Sequence, residues 1–213
     1  MWSSEVTNMI ITGIWETLYM TLVSTLVGYV IGLPMGIILT VSDKDGIKPN
    51  AVLYKILDVI ANIVRSVPFI ILLVLLIPFT RLVVGKSYGS TATIVPLVIA
   101  AAPYIARMVE SSLKEVDAGV IEAARSMGAS NFTIITKVML VEARTSLLVG
   151  ATITLGTILG YSAMSGAVGG GGLGAIAIRY GYTRWQTDIM IVTVILLIIS
   201  VSYTHLTLPT NSL

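Results

Sequence analysis

Residues able to do covalent or acid–base chemistry are few and scattered in this chain of 213 residues. It has no cysteine and one histidine, His205. Zinc ligation and Cys- or His-based nucleophilic catalysis therefore lack their side chains. "VVGKS" (83–87) contains Gly85-Lys86-Ser87, the end of a phosphate-binding loop. That motif needs another glycine five positions before Gly85, and position 80 is Thr. It also needs a strand before it and a helix after it. No pair of carboxylates falls inside an apolar run, as an intramembrane acid protease would require. The sequence reads as a non-enzyme with no cofactor and no metal.

The charges gather in one interval instead. Arg107–Arg144 holds five positive and five negative residues. Val120, Ala124 and Met127 fall at i, i+4 and i+7, one apolar helical stripe, and Phe132, Ile135 and Met139 repeat it. Between them Gly128 suits the position just past a helix end, and Ser130 suits the cap of a second piece. Two short amphipathic helices meeting at a tight bend make a knob. Small residues at Ala123, Ala124 and Gly128 let another surface come close. Periodicity alone leaves two readings open: helices lying on a membrane leaflet, or a docking handle.

The elements that must carry this knob are apolar. Mean hydropathy is +0.93, and 11% of residues are charged, against about a quarter in a soluble domain. Thr17–Ser42, Ser87–Ala106, Thr145–Ile178 and Ile189–Leu213 contain no Asp, Glu, Lys or Arg, and Ser66–Thr80 is a shorter run. Crossing ~30 Å of hydrocarbon takes roughly 20 helical residues. Runs without period-2 alternation argue helices, not barrel strands. The expectation is an all-α, polytopic membrane protein with five transmembrane helices near 11–41, 55–80, 91–112, 146–165 and 188–204. No removable signal peptide is read at the N-terminus. With the N-terminus outside, the inner loops hold eight Lys and Arg and the outer side four, which the positive-inside rule favours. The knob is then cytoplasmic. A net charge of +2 points to no nucleic-acid partner.

Other features carry weaker readings. Asp58, Asn62 and Arg65 form a polar stripe on the second span. Arg or Asp at a bilayer centre costs about 2.5–3.5 kcal/mol, so Arg65 is expected near the cytoplasmic headgroups, with no substrate role. The stripe serves either interfacial anchoring or packing against the knob. Pro34, Pro68, Pro78, Pro96 and Pro103 fall inside expected spans and should kink them. Trp15 and Tyr19 suit the outer interface, and Glu16 a helix N-terminus. Gly166–Gly174 holds six of the 19 glycines. It is either a flexible loop or a place where backbones pack closely beside a transport path.

Glu122-Ala123-Ala124 followed by Gly128, then nine residues (Ala129–Lys137), then Val138, Met139 and Leu140 resembles the EAA motif of ATP-binding cassette (ABC) importer permeases. That motif has Ile where this chain has Val138, and Pro where it has Val141. "WETLYMT" (15–21), "RSVPFIILL" (65–73), "IPFTRLVVG" (77–85), "AAPYIARMVE" (101–110) and "GYSAMSGAVGGGGLG" (160–174) are similar to the methionine-uptake branch of that family. The likeness covers roughly residues 10–200.

The resemblance implies a type I importer permease fold, with residues 1–205 as one transmembrane domain and a coupling-helix loop at about 113–145. It implies that Glu122, Ala123, Ala124 and Gly128 dock on a separate ATPase, present in two copies. Met164 would lie at the gate of the pathway, with Tyr161 and Ser162 nearby. A second copy of the chain, the lipid bilayer of a bacterial inner membrane and an extracytoplasmic methionine-binding lipoprotein complete the implied partners. Rival readings are a permease for another amino acid or small hydrophobic solute, an ion-driven secondary transporter, and a non-transporting scaffold. The tail from 201 to 213, "VSYTHLTLPTNSL", does not fit the family. It resembles translated adaptor sequence, so His205 and Pro209 are left uninterpreted.

Overall fold

The computed structural model describes residues 4–206, with side chains to residue 202. The anomalous tail thus lies largely outside the described residues. All regular structure among the described residues is helical. Helix α1 (Ser4–Ser42) runs 39 residues through Pro34. Then come α2 (Ala51–Ser66), α3 (Phe69–Leu75), α4 (Ile77–Val84) and α5 (Ser90–Lys114). A polar elbow of α6 (Ala118–Ser126), α7 (Asn131–Thr133), a π-helical turn (Ile134–Met139) and α8 (Leu140–Glu142) leads to α9 (Arg144–Ser165). A 3-10 turn (Gly166–Val168), α10 (Gly172–Ile176), a second π turn (Ala177–Tyr182) and α11 (Thr187–Leu206) follow.

The centre of the bundle is α1 against α5, with α9 across both. Gly32 and Gly36 on α1 make the approach close. A Cβ on Gly32 would stand 2.6 Å from the Ala102 carbonyl oxygen, and one on Gly36 2.6 Å from that of Ala106. With no hydrophobic effect acting between helices in lipid, such small-residue contacts are what bind spans together. Met20, Leu97, Ala101, Ile105, Val109 and Ile158 fill the core behind them.

Length and apolarity alone mark three spans, or four with the bent pair α2–α3. Ser4–Ser42, Ser90–Lys114 and the continuous stretch Arg144–Tyr182 are long and apolar enough to cross a membrane. The expected second span is not one helix. It breaks at Val67-Pro68, and α2 and α3 meet at 101°. Pro68 has no N–H to continue the helix and restricts Val67 to extended backbone, here at φ −82° and ψ 125°. Thr187–Ser202 is apolar but short; its 16 residues give about 24 Å at 1.5 Å each. The prolines also split by role. Pro34, Pro96 and Pro103 lie inside helices, whereas Pro68 and Pro78 sit at helix starts, where a missing N–H costs nothing.

Candidate functional site: a polar elbow, its charge cluster and a glycine hairpin

The elbow is built by local chemistry. The Asp117 carboxylate accepts from the Gly119 N–H at 2.6 Å and opens α6. Helix α6 ends on Gly128, at φ +81°, where the Gly128 N–H donates to Arg125 and the Ala129 N–H to Ala124. That doubly bonded end is the Schellman arrangement, and glycine alone takes it without Cβ strain. Ser130 then caps the next piece, accepting from the Thr133 N–H at 3.2 Å. The positions expected for Gly128 and Ser130 therefore stand.

The apolar stripes do not pack as the spacing suggested. Of the first, only Ala124 is inside, 4% exposed; Val120 and Met127 face out, Met127 at 81%. In the second, Phe132 is 75% exposed while Ile134 and Met139 are buried. The π turn explains the shift. Its i→i+5 bonding brings residues five apart onto one side, so Ile134 and Met139 share the inner face. Val141, where the EAA motif has proline, lies exposed in α8. Met127 and Phe132 are left as exposed apolar tips on a polar end. Burying side chains of this size yields about 1.5–3 kcal/mol each. Glu122 and Ala123 are also exposed. Glu122 lines a cleft of about 410 Å³ with Asp43, Asp45, Lys114 and Arg125, and the Arg125 guanidinium donates to the Ile47 carbonyl.

Above the elbow lies a charge cluster that sequence reasoning missed. The Glu110 carboxylate, 5% exposed, accepts from Arg107 at 2.7 Å, Lys114 at 2.8 Å and the Tyr54 hydroxyl at 3.2 Å. Lys114 also pairs with Asp43 at 2.6 Å. Arg107 pairs with Asp58 and donates to Asn62 Oδ1 at 3.0 Å. Asp43 is held below the usual carboxylate range, chiefly by its bond from Lys114. The network ties α1, α2 and α5 together just above α6. Asp58 and Asn62 thus meet α5, not the knob. Arg65, exposed near the end of α2, lines a cavity with Ala100, Tyr104 and Tyr161. The available signal was Arg107, Glu110 and Lys114 at i, i+3 and i+7 on one apolar helix, a face that needs charged partners.

At the opposite end, Gly166–Gly174 forms a packed hairpin. A Cβ on Gly174 would lie 2.1 Å from the Ala163 carbonyl oxygen. Its polar backbone is satisfied from two helices, α1 and α5. The Gly89 N–H donates to the Gly169 carbonyl at 2.9 Å, and the Thr93 hydroxyl to that of Gly170 at 3.2 Å. Thr17 Oγ1 accepts from the Leu173 N–H at 2.9 Å, and Glu16 accepts from the Gly172 N–H at 2.7 Å. Glu16 therefore does not sit at its own helix's N-terminus; thirteenth in α1, it caps α10. Of the three expected gate residues, Ser162 is buried and donates to the Leu159 carbonyl at 2.7 Å. Tyr161 stacks on Phe69 with centroids 4.5 Å apart. Met164 is 52% exposed.

Long apolar helices joined by a polar elbow are the build of a multi-pass membrane protein, and residues 28–210 match the family described as binding-protein-dependent transport system inner membrane component; the chain belongs to it. Within that family it is 49% identical over 200 residues to a probable D-methionine transport system permease protein of Vibrio cholerae, covering 94% of this chain and 89% of the relative. It is 53% identical over 158 residues to the D-methionine transport system permease protein of Escherichia coli, covering 74% and 73%. A solved inward-facing structure of the MetNI methionine ABC transporter superposes with a TM-score of 0.94 at 51% identity, covering 96% of this chain and 95% of that one. An amino acid ABC transporter crystallised with histidines shares the fold at TM-score 0.78 and 21% identity.

Proposed function

We propose that this chain is the membrane permease of an ATP-driven methionine importer, pairing with a second copy of itself to enclose the pathway. The likeness to methionine permeases along nearly the whole chain carries the reading, and the rival cargoes have no comparable support. ATP hydrolysis belongs to a separate ATPase. Its two copies would receive the exposed apolar tips Met127 and Phe132, with Glu122, Ala123 and Gly128 at the contact and Ala124 seating α6 on the bundle. Charge-pair bracing of α1, α2 and α5 just above α6 supports a rigid seat for the elbow, so movement of the elbow moves the spans. The elbow faces the cytoplasm and the N-terminus lies outside, as the Lys and Arg bias favours; this reading counts α2–α3 and α11 as spans. Met164, one turn beyond Tyr161, gates the outer side, and an extracytoplasmic lipoprotein delivers methionine there. ATP drives the cycle only to the extent that it binds the two global states unequally.

Uptake of labelled methionine into proteoliposomes tests this, with the chain reconstituted beside its ATPase and lipoprotein. ATP-dependent uptake of methionine above other amino acids is expected. Equal ATP-driven uptake of a different solute would retire the cargo, and uptake driven by an ion gradient alone would retire the machine.

A further inference from the structure

Arginine inside an apolar span is costly, and such residues face a cavity or a partner. Arg65 stands in the last turn of α2, yet among the described residues it makes no hydrogen bond and no ion pair. It lines a cavity of about 180 Å³ with Val64, Phe69, Leu72, Tyr104 and Tyr161. An apolar cavity of about 150 Å³ admits a benzene ring, so a small solute fits. Three helices give its distance from the elbow. At 1.5 Å per residue, Arg65 is about 21 Å from Ala51, Tyr104 about 15 Å from Lys114, and Tyr161 about 25 Å from Arg144. Each distance runs from the elbow end of its helix, so the cavity stands well away from the elbow and one helical turn short of Met164.

We infer that Arg65, with the hydroxyls of Tyr104 and Tyr161, forms a transient site for the carboxylate of the transported amino acid. The inference rests on the transport reading above and adds to it a place where cargo is held. A guanidinium fork matches a carboxylate in two hydrogen bonds, and the tyrosines add neutral donors. Val64, Leu72 and the stacked Phe69–Tyr161 pair give the apolar wall that an unbranched apolar side chain requires.

The absence of cysteine makes the test selective. Arg65→Cys introduces the chain's one thiol, and a cysteine-free ATPase and lipoprotein complete the proteoliposomes. Methionine uptake is expected to fall at least tenfold. Treatment with aminoethyl methanethiosulfonate, which restores a cation, should recover much of it, whereas the neutral methyl reagent should not. Arg65→Lys should stay within about threefold of wild type. Uptake undiminished in Arg65→Cys, or recovered equally by the neutral reagent, would overturn the site. Should Arg65→Cys fail to assemble, Tyr104→Phe carries the test, with a KM raised about threefold or more expected and an unchanged KM refuting. Absence of ATP-driven methionine uptake by the wild-type complex would instead remove the transport reading, and this site with it.

Discussion

Replacing Glu110 with glutamine removes the charge at the centre of the cluster while keeping its volume. The Arg107–Glu110 bond is largely enclosed, with side-chain exposures of 18% and 6%, and a charge-assisted bond of that kind contributes about 1.5–3 kcal/mol. Lys114 is 41% exposed, so solvent screening holds its bond to Glu110 below about 1 kcal/mol. Neither cation is orphaned, because Arg107 keeps Asp58 and Lys114 keeps Asp43. The loss should thus fall short of the 3–5 kcal/mol typical of a stranded buried charge, at roughly 2–4 kcal/mol. At about 2–4 °C per kcal/mol for a chain of this size, the midpoint of thermal unfolding in detergent should drop by roughly 5–15 °C. Asp45→Asn is the control, since Asp45 and its partner Lys44 are both more than four-fifths exposed, and it should leave the midpoint in place. Combining Glu110→Gln with Arg107→Gln should show a coupling of about 1 kcal/mol or more. A shift under about 2 °C for Glu110→Gln, or one matched by Asp45→Asn, would refute the bracing role.

Two further outcomes follow from the same elements. Gly128 has open space around its missing Cβ but a φ of +81°, so the cost of substitution is conformational, about 1–2 kcal/mol for an ordinary residue. Gly128→Val should cut ATP-driven uptake sharply while Gly128→Asn, which tolerates that backbone, retains most of it; equal uptake by the two would contradict the bend. Asp43 is held below the usual carboxylate range by Lys114, so its contribution to stability is present above the unfolded value of about 3.9 and is lost as pH falls through its lowered folded value. Asp43→Asn should therefore melt below wild type at neutral pH, with the gap closing under strong acid in a melting series; a gap independent of pH would count against the pairing.

What could be read in the sequence was what local chemistry decides. Gly128 and Ser130 announce a helix end and a helix start within three residues, and the structure puts both there. The long apolar runs announce buried helices. Partners far apart in the chain left no such trace. Arg107 finds Asp58 across 49 positions and Glu16 finds Gly172 across 156, so Glu16 looked like a cap for its own helix and Asp58 like an interfacial anchor. The π turn at Ile134–Met139 likewise escaped the 3.6-residue stripe. Gly28, Gly32 and Gly36, four apart, were a legible sign of close helix packing that charge-free run lengths alone passed over.

The central claim is that an external ATPase moves these helices through the elbow. Crosslinking tests it most directly, because Met127→Cys gives the otherwise cysteine-free chain one thiol at the more exposed of the elbow's two apolar tips. The account predicts an efficient crosslink to a cysteine in the ATPase's cleft, changed in yield by ATP and accompanied by loss of methionine uptake. No crosslink in an assembled complex that still imports methionine under ATP would contradict it.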